Sequence, residues 1–181
     1  MQVPEKKKKK RGRSMPLFQI IIVVGLLSLV WFAFGSNVLS QKGQPVTPEH
    51  LGTLALGNMI EGPEALAQIN NLHGTTIALS NGHIAEYANG KERMTVWLGE
   101  AESNQAAVDL LNRMVAGIAK GGSPFGNLTR LTTRGNEVFQ VDGPGGKSFF
   151  YISSRDRVRV VWLTIQSPDA SPILDLALKA F

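Results

Sequence analysis

The N-terminal part of the chain joins a basic region to a long apolar segment. Seven Lys and Arg lie within residues 1–16, six of them consecutive, whereas residues 17–35 carry no charged side chain. Residues 17–34 reach about 27 Å as a helix, close to the hydrocarbon thickness of a bilayer. Because Lys and Arg are retained on the cytoplasmic side of a membrane, the pattern predicts a cytoplasmic tail (residues 1–16), a transmembrane helix (residues 17–35) and an extracytoplasmic remainder.

A cleaved secretory signal is the alternative interpretation of this segment. A signal also has a basic region and an apolar core, and Ala33-Phe34-Gly35 has the small residues of a weak cleavage site. The apolar run is longer than a usual signal core and keeps the bulky Trp31 and Phe32 at its outer end. These features favour an uncleaved anchor. The mostly polar residues 36–48 are then predicted to form a tether.

The charge of the chain is divided unevenly between tail and remainder. The whole chain has 19 Lys and Arg against 14 Asp and Glu, but beyond residue 44 there are 11 basic against 13 acidic residues. A mildly acidic domain lacks the basic surface that binding to a phosphate backbone needs. We therefore expect no nucleic acid partner. The basic tail is interpreted as a topology signal, with contact to the anionic inner leaflet as the alternative.

The sequence offers no motif for a cofactor or a metal ion. It contains no cysteine, and His50, His73 and His83 match no short metal-binding spacing. Residues 142–148 end in Gly-Lys-Ser like a phosphate-binding loop, but Val141 stands where that motif needs glycine and a strand pattern follows. We expect no cofactor, and we interpret residues 142–148 as a glycine-rich hairpin turn.

Residues 49–181 show the patterns of an α+β domain. Helices are predicted to begin at Gly62-Pro63-Glu64, Ser103 and Ser171-Pro172. Asn81-Gly82 and Asn89-Gly90 each predict a hairpin turn. The predicted strands are residues 51–60, 75–80, 83–88, 92–99, 127–133, 137–142, 147–153 and 157–166. We expect a two-layer domain of mainly antiparallel sheet, with about three helices packed mainly on one face.

A short pattern recurs within this domain. Tyr87, Trp97-Leu98 and the helix near Ser103 are followed by Tyr151, Trp162-Leu163 and the helix near Ser171. The recurrence predicts two pseudo-symmetric ββα units. Chance is the alternative, because Tyr and Trp are common in strands.

Two sets of charged residues are candidates for a functional surface. Arg155, Arg157 and Arg159 alternate, so on one regular strand they would share a face suited to an anionic partner. The second set borders the meander that the predicted strands at residues 75–80, 83–88 and 92–99 would form, where two carboxylates would allow acid–base hydrolysis of a wall polymer. Its members are Glu86, Glu92, Glu100 and Glu102. Ordinary solvated residues are the alternative for both sets, and no catalytic residue is assigned.

Several short runs in this domain also follow the pattern of one protein family. They are Glu64-Ala65-Leu66, Ile69-Asn70, Leu72-His73-Gly74, Ile84-Ala85-Glu86-Tyr87, Val96-Trp97 and a following helix with Met114. In these runs the chain resembles a family of uncharacterised bacterial single-pass membrane-anchored proteins. The resemblance covers most of the outer domain and implies a bacterial setting, and it brings no activity and no site residues.

The anchor and the lack of chemical motifs together predict a membrane-anchored module. We expect its extracytoplasmic domain to bind another component of the cell envelope, a protein or an anionic surface component, without catalysis. Two alternatives stay open: an envelope hydrolase that uses surface carboxylates, and a small-ligand-binding domain with a pocket between sheet and helices.

Overall fold

A computed structural model describes residues 46–73, 76–121 and 123–181. The strands are β1 (His50–Leu51), β2 (Leu54–Glu61), β3 (Asn81–Ala88), β4 (Arg93–Glu100), β5 (Gly126–Thr133), β6 (Asn136–Gly143), β7 (Gly146–Ser153) and β8 (Arg159–Gln166). The helices are α1 (Pro63–His73), α2 (Asn104–Ala119) and α3 (Ser171–Ala180). In this part of the chain the fold is α+β, with one eight-stranded antiparallel sheet and three helices. The predicted tail, the transmembrane helix and the tether up to residue 45 lie outside the described residues.

The sheet consists of two four-stranded meanders that meet at β4 and β8. Its strand order is β1-β2-β3-β4-β8-β7-β6-β5, and Trp97 lies directly opposite Trp162 where the meanders meet. The connection through α2 carries the chain from β4 to the far edge, from which β5 to β8 return strand by strand. None of the helices in residues 46–73, 76–121 and 123–181 is both long and apolar enough to cross a membrane.

Both faces of the sheet are covered by helices. The central strands β4, β7 and β8 have apolar residues at consecutive positions, so each face carries an apolar surface that must be buried. On the α3 face, α3 packs against residues such as Tyr87, Val96 and Leu163. On the opposite face, named the α2 face, α1 and α2 pack against residues such as Ile84 and Phe150. The prediction of two layers is therefore wrong, because helices cover both sides of the sheet.

The predicted ββα recurrence holds for the strands but not for the helices. Tyr87 and Tyr151 both belong to the core under α3, and Trp97 and Trp162 both belong to the core under α1 and α2. A twofold axis perpendicular to the sheet, which would relate the two meanders, would keep α2 and α3 on one face. They lie on opposite faces, so the structure contains no repeated ββα unit in its described part.

Most of the predicted elements are confirmed. Strands β3 to β8 begin and end within two residues of their predicted bounds. Ser103 caps α2, because its hydroxyl accepts a hydrogen bond from the backbone N–H of Ala106 at 3.1 Å. Asn89-Gly90 forms the predicted turn, in which Gly90 has a φ of 86°. The phosphate-loop-like segment is the β6–β7 hairpin, closed by the pair Gly143 and Gly146.

Two local predictions are wrong because tertiary contacts override them. Asn81-Gly82 lies inside β3 rather than in a turn. Helix α1 packs closely on this part of β3, and a Cβ on Gly82 would come within 3.2 Å of side-chain atoms of Leu66 and Ile69. That close approach makes glycine the residue that fits there. The predicted strand at residues 75–80 is not a strand over residues 76–80. Instead, Leu79 of this segment packs on Gly99 of β4.

Candidate functional site

Charged side chains are buried together where β3 and β8 begin and β4 ends. His83, Glu100 and Arg159 are each no more than 6% exposed. Glu100 lies directly opposite Arg159 in the sheet, and His83 lies opposite Leu98, two residues before Glu100. Because directly paired residues share a face, all three side chains lie on the α3 face. We call these three residues, with Asp156 and Arg157 at their rim, the buried ion cluster.

The carboxylate of Glu100 is held by three cationic or polar side chains. Its Oε1 lies 3.5 Å from Arg159 Nε and 3.7 Å from His83 Nε2, and its Oε2 accepts a hydrogen bond from Arg157 Nη1 at 3.1 Å. Arg159 also donates two hydrogen bonds to Asp156, at 2.7 and 3.0 Å. These bonds hold the pKa of the Asp156 carboxyl below its usual value. Two arginines and two carboxylates therefore balance each other in the cluster.

The ring of His83 lies between Asn81 and Glu61. Asn81 Oδ1 accepts a hydrogen bond from the backbone N–H of Gly82, and Asn81 Nδ2 lies 3.3 Å from His83 Nε2. Nδ1 is buried without a hydrogen bond and lies 3.7 Å from Glu61 Oε2.

The three arginines of the predicted patch do not share a strand face. Arg155 and Arg157 precede β8, which begins at Arg159, so the alternation does not act as a strand pattern. The side chain of Arg159 is 5% exposed, whereas that of Arg157 is 67% exposed. Arg155 and Arg157 are thus the accessible members, and an anionic partner at this place stays a prediction.

The predicted carboxylates are dispersed over the sheet. Glu86 lies opposite Thr95 and so faces the α2 side, whereas Glu100 faces the α3 side. Glu92 lies in the turn before β4, at the end of that strand remote from Glu100. Hydrogen bonds from the side chains of Ser167 and Asn89 lower the pKa of Glu92. Glu102 is exposed before α2. Hence Glu86 and Glu92 do not pair with Glu100 across one substrate position.

The three histidines also lie apart in the fold. His50 is on β1 and His83 on β3, while the ring of His73 at the end of α1 lies 2.8 Å from the carbonyl oxygen of Ile69. In the part of the chain that the structure describes, no three His, Asp or Glu side chains are placed to hold a metal ion.

A cleft of about 650 Å³ opens on the α3 face at the other end of β8. It lies between the start of α3 and the β6–β7 hairpin, because α3 covers the centre of the sheet and leaves this part of β5 to β7 uncovered. Its apolar lining residues are Leu131, Phe149, Ile165, Pro168, Ala170 and Leu174. Its charged and polar lining residues are Lys91, Gln140, Asp142, Lys147, Gln166, Ser167, Asp169 and Ser171.

The acidic side chains of the cleft accept hydrogen bonds from neighbouring groups, whereas its lysines form no ion pair with a described residue. Asp142 accepts a hydrogen bond from Asn127 Nδ2 at 2.9 Å, and Asp169 accepts one from the backbone N–H of Ser171 at 3.0 Å. Lys91 and Lys147 are exposed and form no ion pair with a described residue. Sequence reasoning left a pocket between sheet and helices open as an alternative but named none of these lining residues, because they come from separate segments and no local pattern marks them.

The chain matches no protein-family model and no curated protein sequence. The resemblance to membrane-anchored bacterial proteins therefore stays a prediction.

Proposed function

We propose that this chain is a single-pass membrane-anchored module of the bacterial envelope, whose extracytoplasmic domain binds another envelope component without catalysis. The cleft on the α3 face is the observation that carries this proposal. Its volume of about 650 Å³ lies in the range of about 300–1,000 Å³ that is typical of ligand sites. An apolar floor with a polar rim suits a ligand that is partly apolar and partly charged.

The charge of the rim favours an anionic ligand group. Asp142 and Asp169 accept hydrogen bonds from neighbouring groups. Lys91 and Lys147 form no ion pair with residues 46–73, 76–121 and 123–181, although Lys147 lies directly opposite Asp142 in the sheet. The N-terminus of α3 borders the same cleft and adds a partial positive charge. A phosphate or carboxylate group on an otherwise apolar envelope component would find complementary charge here.

The carboxylate geometry favours this binding function over the hydrolase alternative. An acid–base pair for glycoside hydrolysis needs two carboxyl groups about 5–10 Å apart on one substrate. Glu86 and Glu100 lie on opposite faces of the sheet, and Glu100 is held by two arginines.

The first described residues, 46–48, pack against the folded domain beside β1 and β2. Val46 packs against the core under α3, and Thr47 is 5% exposed. The hydroxyl of Tyr87 donates a hydrogen bond to the carbonyl oxygen of Pro48 at 2.8 Å, and burial raises the pKa of this tyrosine to about 12. These contacts fix the chain as it leaves the proposed tether.

Single-cysteine labelling in intact cells tests the anchor. The chain has no cysteine, so each variant has a single thiol. Ser14→Cys places it before the proposed helix, and Ser40→Cys places it after the helix. In intact cells, a membrane-impermeant maleimide is expected to label the full-length Ser40→Cys variant. It is expected to label Ser14→Cys only after the cells are lysed. Labelling of both variants in intact cells would contradict the proposed topology, and loss of residues 1–35 would indicate a cleaved signal.

Crosslinking in native membranes followed by mass spectrometry tests the binding function. The full chain is compared with Lys91→Glu/Lys147→Glu and with a control of the same charge change, Lys120→Glu/Lys179→Glu, whose positions do not line the cleft. Wild type and control are expected to capture the same component, and the cleft variant to capture about tenfold less of it. Equal capture by all three proteins would contradict binding at the cleft.

A further inference from the structure

The α2 face of the sheet is apolar in one half and polar in the other. Helices α1 and α2 pack against the half that contains Trp97 and Trp162. In the next row of the sheet, Glu86, Thr95 and Thr164 lie side by side on β3, β4 and β8. Because side chains alternate along a strand and directly paired residues share a face, these three side chains also lie on the α2 face. The polar half is thus on the side of the sheet opposite the cleft.

A cavity of about 290 Å³ lies over the polar half of the α2 face. Glu86 and Arg93 contribute the charged groups of its lining, and Thr95 and Thr164 contribute hydroxyl groups. Its volume is just below the range of about 300–1,000 Å³ that is typical of ligand pockets. The cavity therefore suits a small polar molecule rather than a polymer or a protein segment.

The cavity contains one carboxylate and one guanidinium group that are not paired with each other. Glu86 lies opposite Thr95, whereas Arg93 lies two residues before Thr95 on β4. Such diagonal neighbours are about 7–8 Å apart, within reach of long side chains. Neither Glu86 nor Arg93 forms an ion pair with a residue in 46–73, 76–121 and 123–181. The two unlike charges therefore leave a place between them for a ligand that carries both charges.

Gly57 leaves open space at one side of this cavity. It is the extra residue of the β-bulge between Leu56 and Asn58 in β2. Bulges are frequent beside functional sites, and a glycine in a strand often marks a place where another group approaches closely. Gly57 has no positive φ, and a Cβ at this position would meet the carbonyl oxygen of Glu86 alone, at 3.8 Å. Packing within the described residues therefore does not require glycine here, and the space beside it belongs to the cavity.

We propose that this cavity binds a free α-amino acid. The carboxylate of Glu86 accepts hydrogen bonds from the ammonium group of the ligand, and the guanidinium group of Arg93 donates two hydrogen bonds to its carboxylate. The hydroxyl of Thr95 lies between the two charged side chains and bonds to either group of the ligand. A ligand with one charge would leave the other charge of the cavity unmatched. This site is on the opposite face from the cleft, so it does not depend on the binding proposed there.

Equilibrium dialysis of the full chain against a mixture of the twenty free α-amino acids tests this site, with mass spectrometry as the readout. Wild type is expected to retain at least one of the amino acids. Glu86→Gln and Arg93→Gln are each expected to retain about tenfold less of it, because each variant loses a charged hydrogen-bond partner of the ligand. The matched controls are Glu102→Gln and Arg113→Gln, which change exposed side chains outside the cavity and should retain as much as wild type.

Two further measurements test the position of the ligand and its two charges. Gly57→Val fills the open space beside the bulge and is expected to abolish retention below its melting temperature. The N-acetyl derivative and the methyl ester of the retained amino acid each lack one charge, and each should bind about tenfold more weakly. The proposal would be overturned if wild type retains no amino acid, if the control variants lose as much retention as Glu86→Gln and Arg93→Gln, if Gly57→Val retains as much as wild type, or if either derivative binds as well as the free amino acid.

Discussion

The α3 face carries charged side chains at both ends of β8, and it holds them in opposite ways. At the start of β8, Glu100 and Arg159 have side chains that are 5% exposed and paired with each other. At its other end, Lys91 and Lys147 line an open cleft and are unpaired among the described residues. Buried charges are tolerated only when they are paired, whereas exposed charges keep their capacity to meet a ligand. From this contrast we propose that the buried ion cluster specifies the fold, and that the proposed recognition takes place at the cleft.

Removal of the Glu100 carboxylate should give the largest loss of stability. Glu100→Ala leaves Arg159 Nε and His83 in a buried site without the carboxylate that faces them. Breaking one side of a buried ion pair costs about 3–5 kcal/mol. We expect a decrease of this size in the free energy of unfolding, measured by urea denaturation of the full chain. The matched control is Glu86→Ala, an exposed glutamate of β3, which should change the free energy by less than about 0.5 kcal/mol.

Replacement of both partners should restore part of that loss. Glu100→Leu/Arg159→Met removes both charges and substitutes apolar side chains in a site beside the core under α3. Replacing a whole buried pair by apolar groups is often neutral or stabilising by about 1–4 kcal/mol, unlike removal of one partner. The double-mutant cycle, with Glu100→Leu and Arg159→Met as its single variants, is expected to show a favourable coupling between the two residues. If the double variant is as unstable as the sum of the single variants, the two side chains are not coupled.

Acid should weaken the cluster through Asp156. The two hydrogen bonds from Arg159 lower the pKa of this carboxyl in the folded state. A lowered folded-state pKa contributes stability that is present above the ordinary value of about 4 and is lost as pH falls through the folded-state pKa. We expect the melting temperature of wild type to fall more steeply below about pH 4 than that of Asp156→Asn. Asp109→Asn on the exposed side of α2 should keep the wild-type profile.

Sequence reasoning succeeded where a local signal decides the structure. The hydroxyl of Ser103 caps α2 within three residues of its own position, and Asn89-Gly90 closes a hairpin between adjacent strands. Both outcomes depend on near neighbours in the chain, which a pattern in the sequence can report.

The same reasoning failed where distant contacts decide. Asn81-Gly82 has the residues of a turn, yet α1 packs on Gly82 and keeps it in β3. The alternating arginines predicted a shared face, but β8 begins at Arg159 and buries this residue against Glu100. The ion cluster and the cleft each draw on several strands, and no spacing along the chain reports which strand ends meet.

The smallest change in stability is expected for substitutions in the cleft. The same substitutions are expected to have the largest effect on the proposed binding. Lys91→Glu/Lys147→Glu alters two exposed side chains that form no ion pair with a described residue. It also places a glutamate opposite Asp142, so the free energy of unfolding should fall by no more than about 1 kcal/mol. The same variant should capture its envelope component poorly, while Glu100→Ala should retain capture at temperatures where it stays folded. Measured together, unfolding and capture separate the two ends of β8. If the lysine variant loses as much stability as Glu100→Ala, its loss of capture reports misfolding and the division between the two regions fails.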